Sequence, residues 1–317
     1  MAAISAPRIV PSQRPAGVPS WKHVFFTGLV LWLASVLVTG LTGNLIMIPT
    51  VILLGSFLVP VTAVVWYLDH YQSEALSPWR VLSAFLVGGV LGVLAASVLE
   101  ALLLSDGVLV YLGVGFLEEL SKLIALVLIA RGMVRHSVRD GVVLGAAVGF
   151  GFAAFESSGY AFATLLEREG STVRLSLGSM VFTELLRGIL APVGHGLWTG
   201  IIGGVLFGAS RGGRLRLTGS VIGAFVLVSL LHGLWDSMRG IALLLTEVIT
   251  ATQVQEIPYG GIVLAPPPEK IMQTFVILQW GGLAVVALIG LAILWRVWHS
   301  DAGQVTDRPY VAQPLRT

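Results

Sequence analysis

The 317-residue chain contains no cysteine. That excludes disulfides, thiolate metal ligands and cysteine nucleophiles. Charge is scarce as well. Asp, Glu, Lys and Arg make up 11% of the residues, where a soluble domain carries roughly a quarter. The net charge of +2 offers no nucleic-acid surface. Several catalytic motifs are missing too. HExxH is absent, which removes the zincin and site-two-protease arrangement. GxSxG is absent, and no serine–histidine pair of the rhomboid type stands out. There is no Walker-type or dinucleotide-binding glycine loop. Paired catalytic aspartates are missing, since Asp236 is the only Asp deep in an apolar segment.

What is present is apolar. Hydrophobic residues reach 56%, and the mean hydropathy is +0.89. The expected fold is an all-α polytopic integral membrane bundle of about eight transmembrane helices. Runs of about 20 apolar residues place them near 24–43, 46–68, 81–103, 108–130, 141–164, 179–209, 218–245 and 272–297. Residues 1–23 read as a flexible cytoplasmic tail, 24–297 as the membrane domain with core helices over 108–245, and 298–317 as a second cytoplasmic tail. The first apolar run lacks a small-x-small cleavage site and opens a series of spans, so it reads as a retained helix. Pro192 predicts a kink in the sixth span, or an interfacial start around Thr183 to Arg187. The 38 glycines suit close helix packing.

Orientation follows from the basic residues. Arg8, Arg14 and Lys22, then Arg131, Arg135 and Arg139, then Arg211, Arg214 and Arg216 fall on one side of an eight-span arrangement. The opposite connections carry Asp106, Glu167, Glu169, Glu247, Glu256 and Glu269. The positive-inside rule then puts both termini in the cytoplasm. The Pro- and Gly-containing segment 247–271 reads as an extended outer cover or linker.

Four apolar segments carry ionisable residues where lipid-facing helices have none. A charge near mid-bilayer costs at least about 2.5–3.5 kcal/mol, so such groups usually face one another or a wet cavity. Glu118 and Glu119 lie four and three residues before Lys122, on nearly one helical face. Lys122 is the natural counter-charge for two adjacent glutamates. Glu156 sits among Ser157, Ser158 and Gly159. His195 and His232 stand in matched surroundings, HGLWT and HGLWD, with Thr199 or Asp236 four residues on. An Asp one turn away can orient an imidazole. The tryptophans read as packing residues. Arg187, three residues after Glu184, reads either as an interfacial charge partner or as a substrate clamp. Each motif also has a structural reading, an ion pair or a packing hydrogen bond between helices.

The order EExxK, FxxxE, His, HxxxD resembles the PrsW family of intramembrane proteases, grouped with CAAX-prenyl proteases and bacteriocin-processing enzymes. Here it is Glu118-Glu119…Lys122, Phe152…Glu156, His195 and His232…Asp236, over roughly residues 110–240. The prenyl-protease branch typically has EExxxR and FxxxH. Lys122 and Glu156 therefore favour the PrsW branch and argue against a prenylated substrate. The resemblance implies an endopeptidase in a prokaryotic cell membrane, acting on a membrane-anchored protein, such as site-1 cleavage of an anti-sigma factor. The other partner implied is membrane lipid.

The expected mechanism is glutamic. Glu118, the family's first glutamate, or Glu119 activates water. His195 and His232 stabilise the oxyanion, and Asp236 orients His232. Glu156 donates a proton to the leaving amine, with Lys122 and Arg187 in support. No cofactor is favoured. The alternative is zinc, held by Glu119, Glu156, His195 and His232. A proton-coupled transporter and a non-catalytic scaffold are the readings from other classes.

Overall fold

The computed structural model describes residues 19–71, 73–107, 109–134, 136–169, 172–250, 255–257, 261–263 and 269–300. Ten helices run along these segments. They are α1 (Trp21–Thr42), α2 (Ile48–His70), α3 (Pro78–Leu86), α4 (Gly92–Leu103), α5 (Val110–Ala130), α6 (Val138–Leu165), α7 (Leu177–Leu190), α8 (His195–Gly208), α9 (Gly219–Thr250) and α10 (Glu269–His299). A π-helical turn over Val87–Leu91 joins α3 to α4 as one span. Two short antiparallel pairs cap connections: β1 (Leu166–Glu169) with β2 (Thr172–Leu175), and β3 (Gln255–Ile257) with β4 (Gly261–Val263).

Helix starts follow local chemistry. Ser20, Ser77, Ser137 and Ser176 each precede a helix, and each hydroxyl accepts a first-turn backbone N–H. Gly43 ends α1 in the left-handed region at φ 65°. Pro192 has no N–H to continue the ladder. The expected sixth span is accordingly broken into α7, a tight turn over Ala191–Val193, and α8 beginning at His195.

Seven stretches among the described residues are long and apolar enough to cross a membrane, one fewer than the eight expected. The difference is α5. It has 21 residues, enough to span, but it carries Glu118, Glu119 and Lys122. Helix α1 begins at Trp21, inside the 1–23 segment expected as a tail. Residues 1–18, 301–317 and most of 251–268 lie outside the described residues, as does Arg135.

Helix α6 is the hub. Its apolar stretch is 89% buried, against 17% for α1 and 22% for α10. The outer helices turn Leu31, Leu33, Leu37, Val285 and Leu288 outward, as lipid-facing sides do. Gly141, Gly145 and Gly149 form a stripe at four-residue spacing along α6. A Cβ on each would run into the α8 backbone, at the carbonyls of Gly203, Thr199 and His195 respectively. This contact sets the first residue of α8, His195, against the α6 turn that leads to Phe152 and Glu156. A second close approach, Gly115 of α5 against Ser229 and Gly233 of α9, brings Glu118 and Glu119 beside His232.

Gly145→Val should therefore destabilise the bundle by about 1–3 kcal/mol or more through overpacking. Gly159→Ala, with nothing within 4 Å of its added Cβ, should be neutral or stabilising by up to about 1 kcal/mol. Thermal unfolding in detergent compares them.

Candidate active site

The charged face of α5 points inward. Lys122 and Glu119 are fully buried, and Glu118 nearly so. The Lys122 ammonium has three donors, and each has an acceptor: Glu118 Oε2 at 3.0 Å, Glu119 Oε1 at 2.9 Å and His195 Nδ1 at 2.8 Å. The Phe152 ring lies 4.0 Å from Nζ and closes its remaining side. Because an ammonium has no lone pair to offer, His195 Nδ1 must accept, and the ring proton sits on Nε2. Nε2 then donates to Glu156 Oε2 at 2.9 Å. The same Glu156 oxygen accepts from Arg187 Nη2, and Arg187 Nε donates to Ser157 Oγ at 2.7 Å.

Glu119 has both oxygens engaged, one by Lys122 and the other by the Thr199 hydroxyl at 3.3 Å. Glu118 differs. Its Oε2 takes Lys122, its Oε1 has no hydrogen-bond partner among the described residues, and its side chain lines a cavity of about 450 Å³. His232 is buried, with Nε2 3.6 Å from Glu118 Oε2 and 3.4 Å from Asp236 Oδ2. Its Nδ1 is 3.1 Å from Glu119 Oε1 but not in hydrogen-bonding geometry. The two imidazole rings stand 5.0 Å apart, nearly perpendicular.

The six candidate catalytic residues and both supporting ones thus converge. Glu118, Glu156, Arg187, His195 and Asp236 line the one cavity, with Glu119, Lys122 and His232 directly behind. Two details differ from expectation. Glu184 does not pair with Arg187. It points to the other side of α7, accepts from Trp32 Nε1 at 2.9 Å, and would collide with any side chain at Gly55. Glu156, expected as a proton donor, accepts from both Arg187 and His195. Trp198 packs in the core as read and meets Trp235 edge to face with centroids 6.3 Å apart, while Trp235 also lines the cavity. Thr199 appeared only as part of the HGLWT pattern, and its hydrogen bond to Glu119 was not foreseen. Glu100 of α4, which also lines the cavity, was missed, although a lone glutamate in an apolar run is itself a signal.

The donor set fits a divalent cation. Ligand atoms of Glu118, His195 and His232 all lie within 4.8 Å of one another. Glu118 Oε2 is 3.7 Å from His195 Nδ1 and 3.6 Å from His232 Nε2. Ligands on one tetrahedral zinc at about 2.0–2.1 Å stand roughly 3.3 Å apart. The expected ligand set named Glu119 and Glu156 instead. Glu119 has both oxygens hydrogen-bonded and Glu156 is held by Arg187 and His195, whereas Glu118 keeps one oxygen free and is the glutamate whose ligand atoms converge with the two histidines. Charge points the same way. Lys122 pairs with Glu118 and Glu119, and Arg187 with Glu156, so these carboxylates, with Asp236, make an acidic centre.

A polytopic helical bundle enclosing such a centre defines a membrane-embedded protein with a buried ionisable site, here built on glutamates and histidines. Comparison with protein families matches residues 77–266 to the PrsW family of intramembrane metalloproteases. The chain belongs to that family, and by class it is a membrane protease. Neither the curated proteins nor the solved structures give a match.

Lys122→Met should destabilise the protein by about 3–5 kcal/mol, because it leaves two buried carboxylates without their cation. Thr199→Val removes one hydrogen bond and should cost only about 1 kcal/mol. Unfolding midpoints of the two variants test this order.

Proposed function

We propose that this chain hydrolyses a peptide bond of a membrane-anchored protein inside its bundle, using water activated by Glu118. The observation that carries the reading is the difference between the paired glutamates. Glu119 has no free oxygen, whereas Glu118 presents one to the cavity. Its carboxylate takes the proton of a water held between it and His232. The hydroxide oxygen adds to the scissile carbonyl carbon. The resulting oxyanion accepts hydrogen bonds from the imidazole face of the cavity, where Asp236 fixes the His232 ring. Collapse of the tetrahedral intermediate returns the proton from Glu118 to the departing amine nitrogen. Glu156 and Arg187 hold His195 in register, and Lys122 keeps the two glutamates side by side.

Glu118, His195 and His232 would hold a zinc ion, which when bound supplies a Lewis acid and lowers the pKa of water. A metal-free, glutamate-only version is favoured by one specific observation: the Lys122 ammonium already binds two of the same ligand atoms. By the positive-inside pattern, the cavity lies toward the outer face, where α4 and α6 end and α5 begins. Substrate is then met on the extracytoplasmic side.

The test is cleavage of single-span substrates by purified protein in detergent. Wild type should cleave, and Glu118→Gln and His232→Ala should each slow cleavage by about 10²–10⁴-fold. Activity lost on chelation and restored by zinc would assign the metal version, and indifference to chelator the glutamate version. Proton-coupled uptake into liposomes without any cleavage would overturn the protease reading.

A further inference from the structure

Glu100 lies on α4, outside the four motif-bearing segments, yet it lines the same cavity as Glu118, Glu156 and Asp236. Those three have neighbours of opposite or adjustable charge: Lys122, then Arg187 with His195, and His232. Glu100, half-buried, makes no ion pair or hydrogen bond among the described residues. Its Oε1 is sealed from solvent with no hydrogen bond. Arg187 is the only permanent cation lining the cavity, and it is committed to Glu156, Ser157 and the Tyr160 ring at 4.3 Å. Among the described residues, Glu100 is therefore the carboxyl group of this cavity with neither a hydrogen bond nor an ion pair on either oxygen.

Its position suggests what would use it. Glu100 is one turn from the end of α4 at Leu103, and Tyr111 sits at the start of α5. Both line the cavity at the end of the bundle where these helices meet, and Trp235 lines it as well. A carboxylate in a wall that also offers aromatic rings is suited to a cationic guest. We propose that Glu100 is a specificity determinant, receiving a lysine or arginine side chain of the substrate close to the scissile bond. This rests on the peptide-cleaving reading of the cavity. It adds a substrate preference, for a basic residue near the outer end of the cleaved span.

Binding tests it without turnover. Fluorescently labelled single-span peptides would be titrated against full-length Glu118→Gln protein in nanodiscs. A lysine would be moved one residue at a time through the outer half of the span, with glutamine and glutamate controls at each position. At the best register the lysine peptide should bind about tenfold tighter than its glutamine control, and the glutamate peptide weakest. Adding Glu100→Gln, which keeps the side-chain shape, should abolish the difference. Equal binding at every register, or a lysine preference that survives Glu100→Gln, overturns the inference. Cleavage by wild type without lysine-dependent binding leaves the protease reading standing and removes only this one. Lysine-dependent binding with no cleavage of any substrate overturns the protease reading and, with it, a role for Glu100 in cleavage specificity, and peptides that fail to bind at all count against both.

Discussion

The Lys122 ammonium, closed off by two glutamates, one imidazole and one aromatic ring, is the interaction on which the rest of the structure depends. An ammonium with no solvent exposure is tolerable only when every donor has an acceptor and the charge is balanced. Two acceptors come from its own helix, at three and four residues' spacing. The third comes from His195, 73 residues away. That single long-range bond fixes where α8 must begin, which tautomer His195 adopts and which nitrogen it turns toward Glu156. Arg187 is drawn in through Glu156, and α7 with it. A chain of hydrogen bonds thus runs from α5 through α8 to α6 and α7, and removing its middle member strands charge on both sides.

Glycine makes that chain geometrically possible. Close packing of α8 on α6 sets His195 in place, and close packing of α9 on α5 sets His232 beside Glu118 and Glu119. The matched HG dipeptides take their meaning here. Gly196, after His195, leaves room for the Phe150 ring, and Gly233, after His232, meets the α5 backbone at Tyr111 and Leu112. In each case the residue beside the histidine is the point of close contact, so the imidazole is carried to the interface with little freedom to move. The small residue and the functional one form a single device, used twice. Gly88 and Gly89, in the π turn before α4, do the same against Val148, Gly151 and Phe155, and Glu100 reaches the cavity on the helix that follows.

Much of this was legible in the sequence, because membranes penalise charge heavily. The apolar runs marked the spans, and the ionisable residues within them marked the site. All eight named site residues gather at one cavity. The same rule also explains the span count: the apolar run of α5 is interrupted by the centre itself, Glu118, Glu119 and Lys122. What could not be read was the partner of each group. Glu184 and Arg187, three apart on one short helix, looked like a pair. In the bundle α7 lies between α1 and α2 on one side and α6 on the other, so Glu184 serves α1 and α2 while Arg187 serves α6. Nor could spacing say which glutamate converges with the histidines. That choice depends on Thr199 and Lys122 engaging Glu119, a contact across 80 residues. The two hairpins sit in polar connections whose patterns carried no strand signal strong enough to notice.

The paired glutamates can now be given different tasks. A single glutamate facing both Lys122 and the cavity would have to choose. Once it accepted a proton, or turned to a cation, the ammonium behind it would lose its counter-charge in a medium that cannot supply another. With Glu119 held by Lys122 on one oxygen and Thr199 on the other, the ammonium keeps one carboxylate whatever Glu118 does. The two versions of the mechanism differ in what sits in front of Glu118, but both require that reserve. On the proposed mechanism this accounts for a second glutamate that never reaches the cavity, and for a lysine that pairs with both glutamates while its third donor holds His195.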